Sequence, residues 1–142
     1  ADTVDLKIAA GEHDSTAWNF RELIDGGHLD IVQPDMTAVG GYTEMQRILA
    51  LCQAHHVTVT PHGWVSAVGL FANLQLASAI PTFPLRWREP EFILEMDSIH
   101  NPLREELSEE PIPLDKDIVT VPQRPGIGVT PRRDLIEKYE VD

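Results

Sequence analysis

The sequence predicts an α/β fold in which parallel strands are joined by helical crossovers. Three observations carry that prediction. A short apolar run, a polar or Gly/Pro break and a helical pattern recur three times along the chain. The apolar runs are four or five residues long and mostly end in β-branched or small side chains, as buried strands do. The segments between them place apolar residues at i, i+3, i+4 and i+7, the spacing of one helix face.

The first strand is expected over Leu6 to Ala10, closed by Gly11-Glu12-His13. Ser15 or Thr16 can cap the helix that follows, which runs through Trp18, Leu23 and Ile24 and ends at Gly26-Gly27. The second strand is Leu29 to Val32, closed by Gln33-Pro34-Asp35. Thr43 and Gln46 form a capping-box pattern for the second helix, whose Met45, Ile48, Leu49 and Cys52 make a single stripe. The third strand is Val57 to Thr60, closed by Pro61-His62-Gly63. A third helix runs from about Ser66 to Ala79, with Ala67, Leu70, Phe71 and Leu74 on one face and Pro81 and Pro84 to stop it. Beyond Pro84 the pattern dissolves. "LRWREPEFILEMDS" has room for one more strand, "IVTVP" reads as another, and Arg132 to Tyr139 as a short final helix.

Strand–helix alternation of this kind needs parallel strands with crossovers. The repeat of about 25 residues is close to the unit of a (β/α)8 barrel, which takes roughly 250 residues in all. A doubly wound open sheet is the other candidate, but its G-x-G-x-x-G phosphate loop is absent.

Composition narrows the function. The 142 residues carry 23 acids against 11 bases, a formal charge of −12. That charge argues against nucleic acid or anionic lipid as a partner, since both are polyanions. One cysteine, Cys52, allows no internal disulfide. No apolar run is long enough to span a bilayer, so a cytoplasmic protein is expected. The opening "ADTVDLKIAAGE" runs straight into a strand without a methionine, which suggests the C-terminal portion of a longer polypeptide.

In a parallel barrel the C-terminal strand ends form the active-site face. Glu12, Asp35 and His62 follow three successive strands and are expected on one rim. Singly, each has a plain explanation. A carboxylate after a strand commonly forms a turn or a cap, and a loop histidine is commonly polar filler. Three such residues at the same place in three units suggest a metal ligand, Glu12, and an Asp35–His62 acid/base pair. His55 and His56 lie at the opposite strand end, which argues against a zinc site with His62. His13 is read as a loop residue, and Cys52, on an apolar stripe, as core.

At these residues the chain resembles the mandelate racemase/muconate lactonizing enzyme branch of the enolase superfamily. "IAAGE", "VQPDMTAVGGYTE", "TPHGW", "GLFANLQLASAIP" and "VPQRPGIGV" match that branch in order. The resemblance covers nearly the whole chain and is strongest to the acid-sugar dehydratases. It implies the C-terminal half, strands five to eight, of a TIM-type barrel (a modified (β/α)7β barrel) over residues 1–100. The tail, 101–142, would pack on the barrel or on a capping domain. Glu12 would be a ligand of Mg²⁺, and Asp35 and His62 the catalytic dyad. The implied reaction is Mg²⁺-dependent dehydration of a sugar acid or other hydroxy acid, through proton abstraction α to a carboxylate and an enediolate. Racemisation or epimerisation is the alternative, as is a fragment inactive without the missing N-terminal half. That half, a small carboxylate substrate and further copies in a homo-oligomer are the implied partners. Family members often carry a glutamate at the end of the eighth strand, where this sequence shows Arg86-Trp87 and, out of register, Glu89.

Overall fold

In the computed structural model, residues 4–80 and 93–141 are described. They fall into two compact units, one of residues 4–63 and 93–96, the other of residues 64–80 and 97–141.

The first unit is built on three parallel strands in the order β1–β2–β3: Ala9–Ala10, Ile31–Val32 and Thr58–Val59. Ala9 faces Ile31 and Ala10 faces Val32; Ile31 in turn faces Thr58 and Val32 faces Val59. The strands are shorter than the apolar runs, but pairing continues past them. Gln33 N–H donates to the Ala10 carbonyl (2.9 Å), Thr60 N–H to Val32 (3.0 Å) and His62 N–H to Pro34 (3.1 Å). Those bonds fix the backbone of the residues that leave the strands.

Helices α1 (Thr16–Asp25) and α2 (Gly41–His55) follow β1 and β2 and pack against each other. Phe20 and Ile24 of α1, and Met45, Ile48, Leu49 and Cys52 of α2, are buried. The stripe read from sequence is therefore the core face of α2. Trp18 is not core: it is 71% exposed, with the Arg21 guanidinium 5.6 Å from its ring centre.

The cap of α2 differs from the expected one. The helix starts at Gly41, preceded by Gly40 at φ +106°, so Thr43 already lies inside it. Left-handed backbone at Gly40 turns the chain into the helix without a side-chain cap. Glu44, in the first turn of α2, serves α1. Its Oε1 accepts the Ala17 N–H (2.7 Å), one of the amides a helix N-terminus leaves without a partner. That hydrogen bond, more than the Arg47 pairing, holds the Glu44 carboxyl below its usual range.

In the second unit, α3 (Ala67–Ala79) is capped by Ser66, whose Oγ accepts the Gly69 N–H (3.4 Å). The expected Ala67, Leu70, Phe71 and Leu74 are all buried, and so are Gly69, Ala72, Asn73 and Leu76. Ala67 packs with Leu107 and Leu135, and Gln75 Nε2 donates to the carbonyls of Pro122 (3.0 Å) and Ile127 (3.4 Å). The C-terminal segment holds α4 (Pro102–Glu105), an antiparallel hairpin of β4 (Leu114–Asp115) and β5 (Ile118–Val119), and α5 (Arg133–Tyr139). The "IVTVP" strand and the final helix are thus where the sequence placed them. Buried Arg104 ties the segment before it: its guanidinium pairs with Asp97 and donates to the carbonyls of Asp97 (3.1 Å) and Ile99 (2.7 Å). Of the segment expected to hold a further strand, residues 85–92 lie outside the described residues, and 93–98 contain no strand.

Candidate active site

The candidate residues Glu12, Asp35 and His62 lie beyond the C-terminal ends of β1, β2 and β3, within the first unit. Gly11 follows β1 at φ +116°, in backbone that favours glycine. A methyl group there would also meet the Phe20 ring at 3.0 Å. The turn closes with Asp14 N–H donating to the Gly11 carbonyl (3.1 Å) and carries Glu12 at its tip. The Glu12 carboxylate is half-buried, 3.9 Å from His13 Nε2. Its pKa is lowered, first by its own backbone N–H and then by the charges of His13 and His62, against the opposing effect of desolvation.

Asp35 follows buried Pro34 at the end of β2. Its Oδ1 accepts from Thr37 N–H (2.7 Å) and Thr37 Oγ1 (2.6 Å), and its carbonyl accepts from the amides of Ala38 and Val39. The turn-forming use of an aspartate after proline is present, and it engages one carboxylate oxygen.

His62 leaves β3 with its backbone bonded to Pro34 and its side chain 18% exposed. Its Nδ1 lies 3.3 Å from Glu95 Oε2. The same oxygen accepts from Gln33 Nε2 (3.1 Å) and Gly63 N–H (3.3 Å). Glu95 was not singled out in the sequence. It sits in an irregular segment with no periodic pattern, so only the long-range fold brings it to His62. The one available signal was the expectation of a glutamate near an eighth strand. Arg86, Trp87 and Glu89, the residues first considered for that place, lie outside the described residues.

His55 ends α2 at the far end of the strands, 3.8 Å from Asp25. Cys52 is buried, and desolvation pushes its thiol up to about 12, far from a thiolate nucleophile at neutral pH.

The site offers one half-buried imidazole, a carboxylate held against it, and a second carboxylate across the rim. That set can move a proton at His62 and hold a polar substrate through carboxylate oxygens. Among the described residues no three His, Cys, Asp or Glu side chains gather as a complete metal site would need. Glu12 is a hard oxygen donor of the type Mg²⁺ prefers, and fits as one ligand of a site completed from elsewhere.

A family model described as "Enolase C-terminal domain-like" matches residues 1–135. The chain is 33% identical to D-galactarolactone cycloisomerase of Agrobacterium fabrum, over 96% of this chain and 36% of that protein. It is 34% identical to L-rhamnonate dehydratase of Saccharopolyspora erythraea, over 96% of this chain and 34% of that protein. The crystal structure of the 3,6-anhydro-D-galactonate cycloisomerase from Zobellia galactanivorans superposes with a TM-score of 0.85 at 30% identity, covering 97% of this chain and 37% of the other. The chain thus spans about a third of the length of the curated relatives it matches.

Proposed function

The chain belongs to the enolase C-terminal domain-like family, half of a TIM-type barrel, and from that premise we propose that the full protein is a Mg²⁺-dependent dehydratase of a sugar acid. The observation that carries this reading is the placement of His62 against Glu95, with Glu12, Asp35 and His62 following three adjacent parallel strands on one rim. The dehydratases among the relatives support the choice of reaction.

In this proposal Glu12 holds Mg²⁺ together with ligands outside this chain. When bound, the metal neutralises charge that develops on the substrate carboxylate. The chain's own residues do the rest. Protonated His62 delivers its proton to the departing β-hydroxyl, which leaves as water with the electron pair of its C–O bond, while a base outside this chain takes the α proton and the electron pair of that C–H bond forms the C=C bond. The enol then tautomerises to a keto acid. Glu95 holds Nδ1, so Nε2 is the nitrogen that carries the proton to the substrate, and Asp35, with Oδ1 engaged by Thr37, acts on the imidazolium through its charge. Glu95 turns Oε1 to the substrate, Oε2 being the oxygen that Gln33, His62 and Gly63 engage among the described residues. The enzyme works as a cytoplasmic homo-oligomer. Among the described residues no helix is long and apolar enough to cross a membrane.

The cycloisomerase relatives favour a second reading, isomerisation of a related acid or lactone on the same residues. Product mass separates the two. Full-length protein with Mg²⁺ and a panel of aldonates, aldarates and their lactones is incubated and analysed by mass spectrometry. Loss of one water from an acid supports the dehydratase; a product of unchanged mass supports the isomerase. Turnover of no member of the panel rejects both.

A further inference from the structure

We propose that Gln33 is a positioning residue that selects which oxygen of Glu95 faces His62. The inference rests on the reading of His62 and Glu95 as working groups, and it concerns a side chain that lies outside the acid, base and metal roles.

Glu95 reaches the site from residues 93–98, which form neither helix nor strand. Nothing periodic in the backbone there fixes its side chain, so contacts must do so. The contacts come from a rigid frame. Gln33 is tied by its N–H to Ala10 of β1, and the next residue, fully buried Pro34, accepts the His62 N–H. Gln33, His62 and Gly63 therefore move together as one edge of the parallel sheet. All three reach the same atom, Glu95 Oε2, at 3.1, 3.3 and 3.3 Å.

Gln33 gives the shortest of the three. The other two cannot do its work alone. A backbone N–H has one fixed direction, and an imidazole Nδ1 donates only in the protonation state that places hydrogen there. The Gln33 amide is a donor at every pH and has no charge of its own to lose. It can hold Oε2 in place while the His62 proton comes and goes. Without it, only the longer Gly63 N–H contact steadies Oε2 while the His62 proton is away, and the carboxylate can more readily rotate to present its other oxygen to the imidazole.

Two near-isosteric variants of the full-length protein test this. Gln33→Met keeps the length and removes the donor. Gln33→Glu keeps the shape and sets an acceptor against an acceptor. Imidazole nitrogen NMR of His62, recorded without substrate, reads the contact directly. We expect Gln33→Met to shift the His62 Nδ1 resonance in the same sense as Glu95→Gln does, with the fold intact by circular dichroism. With substrate, kcat/KM should fall about tenfold, as expected for one charge-assisted hydrogen bond, and through KM more than kcat. Gln33→Glu should fall further. His62 resonances unchanged in Gln33→Met but shifted in Glu95→Gln would overturn the proposal, and so would a loss of thermal stability without any such shift. If the resonances move as expected while the wild-type protein transforms no sugar acid, the positioning role stands and the proposed activity fails.

Discussion

Replacing Gly63 by alanine probes the close approach on which the His62–Glu95 contact depends. Gly63 does not sit in left-handed backbone; its requirement is for space. A methyl group built on it would overlap the Glu95 carbonyl and lie 2.9 Å from Met96 N. Ordinary non-bonded separation is roughly 3.5–4.0 Å, so residues 95 and 96 must withdraw, at the carbonyl by well over an ångström. Both partners of the clash are backbone, and no side-chain rotation relieves it. The contacts to Glu95 Oε2 stand at 3.1–3.3 Å, only a few tenths of an ångström inside hydrogen-bonding range. A withdrawal of the required size breaks all three. Overpacking of this kind costs about 1–3 kcal/mol of stability, and misplacing a working group by about 1 Å can cost about a hundredfold in rate. Steady-state kinetics of the full-length Gly63→Ala enzyme should show a fall in kcat/KM of that order, beside a melting temperature lower by several degrees. Wild-type kcat/KM with an unchanged melting temperature would refute the reasoning, because the segment carrying Glu95 could not then lie against Gly63.

Other expectations follow from the same geometry. His62→Asn in the full protein should abolish dehydration while Mg²⁺ affinity, read by calorimetry, stays near wild type. Glu12→Gln should do the reverse first, weakening Mg²⁺ binding at least tenfold, since a neutral amide replaces a charged hard-oxygen ligand. Arg104→Met should destabilise the protein by about 3–5 kcal/mol in denaturant titration, because Asp97 would be left buried without its cation. Glu110 gives a pH dependence. Its carboxyl is lowered from 4.5 to about 2, chiefly by Thr130 N–H and then the Thr130 hydroxyl. A depressed carboxyl contributes stability that is full above its ordinary value and is lost as pH falls toward the folded value. Thermal unfolding of the wild type should therefore weaken between pH 4.5 and 2, and Glu110→Gln should flatten that part of the curve.

The helical stripes were legible because a periodic pattern records burial directly. Met45, Ile48, Leu49 and Cys52 are buried together, as their spacing requires. So were the strand ends, because Gly/Pro breaks after apolar runs mark where a chain leaves a sheet. Three features were hidden for different physical reasons. The start of α2 depends on left-handed backbone at Gly40, which a capping pattern beginning three residues later at Thr43 does not reveal. Trp18 lies in a helix but faces out, stacked on Arg21, and aromatic content alone does not tell a core ring from a surface one. Glu95 acquires its place only when the ends of β2 and β3 bring Gln33 and His62 together, 62 and 33 residues away from it in the chain.

Two independent constraints bear on how this half-barrel works. The first is backbone pairing. Among the described residues β2 has a strand on each side, while β1 and β3 each have one. Parallel sheets are stable when both faces and both edges are covered, and an open edge presents unpaired N–H and C=O groups to any passing strand. The second is coordination. Mg²⁺ asks for near-octahedral oxygen ligands, and on the proposed reading Glu12 supplies one. Glu12 stands at the end of β1, the very strand whose second edge needs a partner. On the proposed reading a strand laid along β1 meets both needs at once: it completes the ladder and carries a further ligand to the same rim. Barrel closure and metal binding then depend on each other, because a ligand at the end of a neighbouring strand is correctly placed only when that strand is in register. In the full protein, a substitution that disturbs pairing at Ala9 or Ala10 should therefore weaken Mg²⁺ binding even though neither side chain is a ligand. Calorimetry on an Ala9→Pro variant, whose proline removes the amide at that position, measures this coupling. Unaltered affinity in a folded variant would separate the metal site from the sheet edge.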